Sequence, residues 1–152
     1  MALIQSNYAK GIISGPFPAF AGAVVAKRFF HVLSAAPALN DIIELAPLYA
    51  GTRIIDFILD ADDLDSGTAL LLDVGIMSGA WQEKNDARTC GAELLAALNI
   101  GQTGIIARPT LKTAFRTAVA STDRSIGVKI NTAAGTFVPG GQIGLTLLTT
   151  TD

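Results

Sequence analysis

Few residues in this chain combine the types and spacing that chemistry requires. The densest group of potential ligands is Asp60-Ala61-Asp62-Asp63-Leu64-Asp65-Ser66-Gly67. Carboxylates this close together suit Ca²⁺, a hard cation that collects oxygen ligands. The EF-hand register fails in both frames, however. Counted from Asp60, Leu64 takes the fifth position and Asp65 falls where glycine is required. Counted from Asp63, Gly67 takes the fifth position and Val74 stands in place of the bidentate glutamate. Asp60, Asp62, Asp63 and Asp65 are the metal candidates that remain. They rank below an acidic turn in which Asp65 and Ser66 bond local backbone amides.

His31 is the single histidine, set in Phe29-Phe30-His31-Val32-Leu33 beside no nucleophile motif. It reads as a half-buried strand residue rather than a catalytic base. Cys90, also single, lies in Arg88-Thr89-Cys90-Gly91 at the predicted start of a helix. A helix dipole would lower its thiol pKa, but without a protease-like context it reads as a small buried side chain. Gly75-Ile76-Met77-Ser78-Gly79 has neither phosphate-binding glycine spacing. Asp56 and Asp60 could form a glycosidase-type pair, yet Trp81 is the only tryptophan available for sugar stacking. Pro109 keeps Arg108, Lys112 and Arg116 from lining one helical face. No catalytic residue and no cofactor follow from these patterns, and no nucleic-acid motif is recognisable.

The elements that would position such residues come from composition and periodicity. The chain has 152 residues, one domain's worth, and half of them are apolar. Only 16% are charged, against about 25% in an average globular protein. Either Ser, Thr, Gly and Asn supply the missing surface polarity, or other subunits cover the surface. A net charge of −2 gives no general attraction to nucleic acid or anionic membrane. One cysteine excludes a disulfide framework within the chain. The uncharged stretch Gly11 to Ala26 has 16 residues, short of the about 20 a membrane helix needs. Pro16 and Pro18 also break a signal-peptide helix. Gly15-Pro16-Phe17-Pro18 instead predicts an extended N-terminal arm, residues 1–23, that lies on a neighbouring subunit.

Residues 24–152 read as a single β-sandwich. Strands are predicted over Ala23–Leu33, Asp41–Ala46, Thr52–Leu59, Ala69–Met77, Arg124–Asn131 and Gln142–Thr149. Ile126, Val128 and Ile130 alternate with Gly127 and Lys129, the period of a half-buried strand, and Ile143, Leu145 and Leu147 repeat it. Recurrent turn residues suit an antiparallel sandwich of jelly-roll type. One short helix, about 91–99, is predicted from Ala92–Leu98 and its stop at Asn99-Ile100-Gly101.

Charge is uneven along the chain. Residues 41–73 hold eight acids and one base, Arg53. This acidic third either stays solvated or steers a head-to-tail contact with another subunit. Trp81-Gln82-Glu83-Lys84-Asn85-Asp86-Ala87-Arg88 is the most polar run and reads as an exposed loop. Trp81 at its edge is an interface anchor or a lid over the sandwich end. Phe17, Phe20, Trp81 and Arg88 are the expected interface contacts.

Several segments together carry a resemblance. They are Asn40-Asp41-Ile42-Ile43-Glu44-Leu45, Gly51-Thr52-Arg53-Ile54-Ile55-Asp56, Asp62-Asp63-Leu64-Asp65, Leu72-Asp73-Val74-Gly75-Ile76 and Arg124-Ser125-Ile126-Gly127-Val128-Lys129. From about residue 24 to 150 the chain resembles the small jelly-roll decoration, or cement, proteins of tailed-bacteriophage virions. The resemblance implies a non-enzymatic component of the capsid surface, made in the host cytoplasm. It also implies that the chain clamps neighbouring major capsid proteins and forms a small homo-oligomer, a trimer or alternatively a dimer. The reading of a different class is a ligand-binding β-sandwich, for carbohydrate or with calcium, using the 60–67 loop and Trp81. Another head, neck or fibre-base component is a further alternative.

Overall fold

Four antiparallel pairings organise the chain. In the computed structural model, which describes residues 2–13 and 23–151, β2 (Val25–Val32) pairs with β9 (Gln142–Thr151) and β3 (Ile42–Leu48) with β8 (Arg124–Thr132). Further in, β4 (Thr52–Ala61) pairs with β7 (Ile106–Ala107) and β5 (Leu71–Ile76) with β6 (Leu95–Leu98). The first strand of this set thus meets the last, the second meets the next to last, and so inward. That nesting describes one long antiparallel ribbon. Rolling the ribbon up adds the pairings β4·β9 and β5·β8 and produces two sheets. Their orders are β2-β9-β4-β7 and β1-β3-β8-β5-β6, with the three-residue β1 (Leu3–Gln5) added parallel to β3. Apart from β1, this is the eight-stranded jelly roll.

The alternating strands meet face to face. Phe29, Phe57, Leu59, Ile143 and Leu145 from one sheet are buried against Ile43, Leu45, Leu72, Val74, Ile126, Val128 and Ile130 from the other. A bulge in β4 between Ile54 and Asp56 makes this possible. It inserts one residue, Ile55, and so returns Phe57, Leu59 and Ala61 to the core side that an unbroken period of two would have denied them.

The predicted helix near 91–99 is absent. Leu95–Leu98 is β6, paired with β5 through Val74↔Leu95 and Leu72↔Leu98. Ala-Leu-Glu composition favours a helix locally, but one of seven residues makes few backbone bonds for its nucleation cost. The edge of β5 offers more. Leu94 N–H donates to the Val74 carbonyl at 3.1 Å, Glu93 accepts Ile76 N–H at 2.8 Å, and Leu94 and Leu95 sink into the core.

Of the arm expected over residues 1–23, residues 2–13 are described, and they lie against the sandwich. After β1, the Ser6 hydroxyl donates to Leu45 O, and Tyr8 packs edge-on against Phe29 with ring centroids 4.8 Å apart. The segment thereby closes the seam between β2 and β3, which are edge strands of opposite sheets apart from the short β1. Gly15-Pro16-Phe17-Pro18 and Phe20 lie outside the described residues.

Candidate assembly surface

Four of the eight acids of residues 41–73 pair with bases from elsewhere in the chain. Glu44 pairs with Arg88 at 2.8 Å, Asp56 with Arg108 at 3.0 Å, Asp60 with Arg28 at 2.5 Å and Asp73 with Lys129 at 3.1 Å. Two of these pairs hold the body together, and two lie on its outer face.

The five-stranded sheet is covered on its outer side by its own chain. Residues 77–94 form a strap that leaves β5, crosses the sheet and returns as β6. Gly75 and Gly127 stand side by side on β5 and β8 beneath it. A Cβ at Gly75 would collide with the Gly91 carbonyl, and one at Gly127 would lie 2.8 Å from Met77 Cγ. The missing side chains let Met77 and Cys90 sink in beside Ile42.

Arg88 fastens this strap. Expected at an exposed interface, it is instead only 3% exposed. Its guanidinium donates to Glu44 Oε1 at 2.8 Å, Ser125 Oγ at 2.6 Å, Ser78 O at 2.6 Å and Glu83 O at 3.1 Å. Glu44, fully buried, also accepts from Gln5 Nε2 at 3.1 Å and Gln82 N–H at 3.3 Å. A buried ion pair survives only when its remaining donors and acceptors are matched in this way. Trp81, near the start of the strap, is half-buried against the main core.

The 60–67 loop uses its carboxylates as structural acceptors. Asp65 is fully buried and receives five amides: Thr136 at 2.8 Å, Leu70 at 2.9 Å, Gly67 and Ala69 at 3.0 Å, and Gly135 at 3.1 Å. The Thr136 amide, followed by those of Leu70, Gly135 and Ala69, outweighs desolvation and holds its carboxyl far below the usual carboxylate range. Asp62 accepts Gln142 N–H at 2.9 Å, and Asp63 accepts the Asp65 amide at 3.2 Å. Among the described residues, no three His, Cys, Asp or Glu side chains converge to hold a metal ion.

Cys90 and His31 sit apart from one another and from any nucleophilic pairing in the hydrogen-bond network. Cys90 Sγ lies 3.4 Å from Gly127 O and 3.6 Å from Gly75 O, and burial pushes its thiol up to about 12. It forms an isolated β-bridge with Met77 and does not open a helix. His31, half-buried on β2 in register with Ile143, is pushed toward its neutral form by burial, with a lesser push from Lys10.

The four-stranded sheet differs from its partner because, among the described residues, its outer face carries no second layer of its own chain. Outward from β2 point Ala26, Arg28, Phe30 and Val32, and Phe30 and Val32 are 36% and 47% exposed. Ile55 from the β4 bulge and Ile106 of β7 add exposed apolar surface, Ile106 at 63%. One row runs straight across the strands, Phe30–Gly144–Asp60–Ile106. Arg28 reaches over Gly144 to bridge β2 and β4, donating through Nε at 3.2 Å and Nη2 at 2.5 Å to the two oxygens of Asp60. A Cβ on Gly144 would sit 2.6 Å from Asp60 Oδ1 and would also strike Arg28. The guanidinium carbon lies 5.5 Å from the Phe30 ring centroid. Around Phe30, Val32 and Ile106 the face is apolar, with Arg28 and Asp60 closed against one another between them.

The sequence places Arg88 at an exposed interface, where the structure buries it, and shows no sign of the role of Glu44 or of this face. Period-two reading of Val25–Val32 does contain the face, because Phe30 and Val32 alternate with core-facing Phe29. Nothing local in the sequence distinguishes Arg88 from the exposed charges around it.

No family model and no curated protein matches the chain. Solved structures do. A chain in the capsid of Ralstonia phage GP4 is 46% identical over 99% of both chains, with a TM-score of 0.95. A chain of the cyanophage Pam1 capsid asymmetric unit is 18% identical, covering 92% of this chain and 93% of that one, with a TM-score of 0.69. A chain of the acid-stable capsid of Helicobacter pylori bacteriophage KHP30 is 10% identical, covering 86% and 90%, with a TM-score of 0.54. The last two share the fold, whereas the first shares sequence along the entire length. A jelly roll whose carboxylates are spent on internal structure, and which matches a capsid chain from end to end, belongs to the bacteriophage capsid protein family and is a structural protein of the virion.

Proposed function

We propose that the chain is a non-enzymatic decoration, or cement, protein that binds outside the head across neighbouring major capsid proteins and stabilises it. The observation that carries this reading is the asymmetry of covering. One sheet is buried on both faces by the chain's own strap, and the β2–β3 seam is closed by residues 2–13. Among the described residues, nothing covers the apolar outer face of the other sheet. A chain that forms a continuous shell must meet neighbours on every side, whereas a one-sided contact surface suits attachment. Binding to the assembled shell alone then stabilises it by mass action.

In this reading the protein is made in the host cytoplasm, requires no cofactor, and works as a homotrimer or homodimer. Trp81 and the arm residues Phe17 and Phe20 are contacts to test. Adding purified protein to shells that lack it tests the proposal. Saturable binding with a raised temperature of shell disruption is expected, and absence of binding refutes it.

A further inference from the structure

We infer that the segment along the outer edge of β4 is a basic ledge that takes a carboxylate-bearing, partly apolar patch of the shell protein, an inference that rests on the decoration reading. Between Glu93 and Asp123 the chain carries no acid, and its only charges are Arg108, Lys112 and Arg116. The fold lays this stretch along the edge of β4 that β9 leaves open. Ile106 pairs with Asp60 and Ala107 with Leu59, Arg108 reaches Asp56 at 3.0 Å, and the Ala120 carbonyl accepts the Gly51 amide at 2.9 Å. Two contacts pin its middle: Ala114 is fully buried, and the Thr113 hydroxyl donates to Glu93 O at 2.6 Å. The short 3-10 turn Lys112–Phe115 and the residue after it thereby keep Lys112, Phe115 and Arg116 in solvent, Phe115 at 52% exposure.

Charge along the ledge is unbalanced. The bases Arg53, Arg108, Lys112, Arg116 and Arg124 outnumber the acids Asp56, Glu93 and Asp123. Each of those acids already has an internal donor: Arg108 for Asp56, Ile76 N–H at 2.8 Å for Glu93 and Ala50 N–H at 2.8 Å for Asp123. Asp62 and Asp63 lie at the opposite end of β4, beside Gly104. Among the described residues, no hydrogen bond or ion pair holds the side chain of Lys112 or Arg116. Two solvated bases alone would mean little. Here they stand on either side of Phe115 in the chain, and exposed Ile105 and Ile106 carry the apolar surface on to the Phe30–Gly144–Asp60–Ile106 row. Covering Phe115 takes its basic neighbours partly out of water, and only a partner that supplies acceptors offsets that cost. Carboxylates around an apolar spot do so. A nucleic acid fits less well, since two unpaired bases neutralise few phosphates and leave the isoleucines without an apolar counterpart.

Area points the same way. At about 4.8 Å between strands and about 3.3 Å per residue, the outer face of β2, β9 and β4 spans roughly 400 Å². That is half of the about 800 Å² per partner found in a stable interface of ordinary size. A ledge as long as β4, about 30 Å by about 10 Å, adds roughly 300 Å². Face and ledge together bury about 1,400 Å² over both partners, within the range of specific association.

The test is binding of the purified full chain to shells that lack it, measured by cosedimentation at about 50 and about 500 mM NaCl. Wild-type affinity is expected to fall at least about tenfold across that range. Lys112→Glu/Arg116→Glu is expected to bind at least about tenfold more weakly at the lower salt and to respond little to added salt. Phe115→Ser is expected to weaken binding while keeping the wild-type salt dependence. Circular dichroism confirms that each variant is folded. Wild-type binding that ignores salt, or a folded double variant that binds as tightly as wild type, overturns the inference and leaves the decoration reading standing. Absence of wild-type binding at either salt removes both. A double variant whose mass by light scattering differs from wild type assigns the ledge to contacts between copies and also overturns the inference.

Discussion

Replacing Arg88 with Met tests whether the strap over the five-stranded sheet is fastened as described. The substitution keeps length and apolar volume but removes every donor from a side chain that is 2% exposed. Glu44, with a side chain 0% exposed, is left with only Gln5 and Gln82 as donors. Ser78 O, Glu83 O and Ser125 Oγ each lose a charged partner. Breaking a buried pair from one side costs about 3–5 kcal/mol. In a chain of this length, about 2–4 °C of melting temperature goes with each kcal/mol, so a fall of roughly 10 °C is expected. Adding Glu44→Gln should recover part of the loss, because a neutral amide tolerates the dry site better than a carboxylate does. Urea unfolding read by the fluorescence of Trp81, the only tryptophan and itself on the strap, measures both variants. A loss below about 1 kcal/mol for Arg88→Met, the scale of an exposed pair, would refute the reasoning, as would a double variant no better than the single one.

Other consequences reach different parts of the molecule. Phe57→Ala, at a fully buried position of β4, should cost about 3–5 kcal/mol in urea unfolding. Gly75→Ala, which drives a methyl group into the Gly91 carbonyl, should cost about 1–3 kcal/mol and loosen the strap to amide exchange. Cys90, its thiol pushed up to about 12 by burial, should resist iodoacetamide at pH 8 in the folded protein and react once urea is added. Asp65 has a folded pKa below its unfolded value of about 3.9. Its contribution is therefore complete above that pH and is lost as pH falls toward the folded value. Asp65→Asn should be less stable than wild type at pH 7, and its urea midpoint should fall less between pH 4 and pH 2.

Much of the architecture was legible because it depends on local alternation. Ile126, Val128 and Ile130, and Ile143, Leu145 and Leu147, occupy core positions in the strands where the period of two put them. β3 carried no such alternation, since both of its sides are buried, yet its Ile and Leu content still marked a strand. What the sequence hid depends on partners far along the chain. AELLAAL has helical composition and becomes a strand because β5 has a free edge. The acids of residues 41–73 look like one unpaired block until bases at 28, 88, 108 and 129 are brought to them. Gly144 reads as a weak point in a good strand and is the clearance for an ion pair. No window of neighbouring residues contains these relations, because each is fixed by sheet register across dozens of residues.

As a decoration protein, this capsid-family jelly roll sits on a shell made by another chain. Electron cryomicroscopy of the intact virion tests it most directly. Density for this fold is expected on the outer surface of the head, in discrete oligomers that sit across seams between subunits of a different protein. Density showing this chain as the continuous shell itself would contradict it.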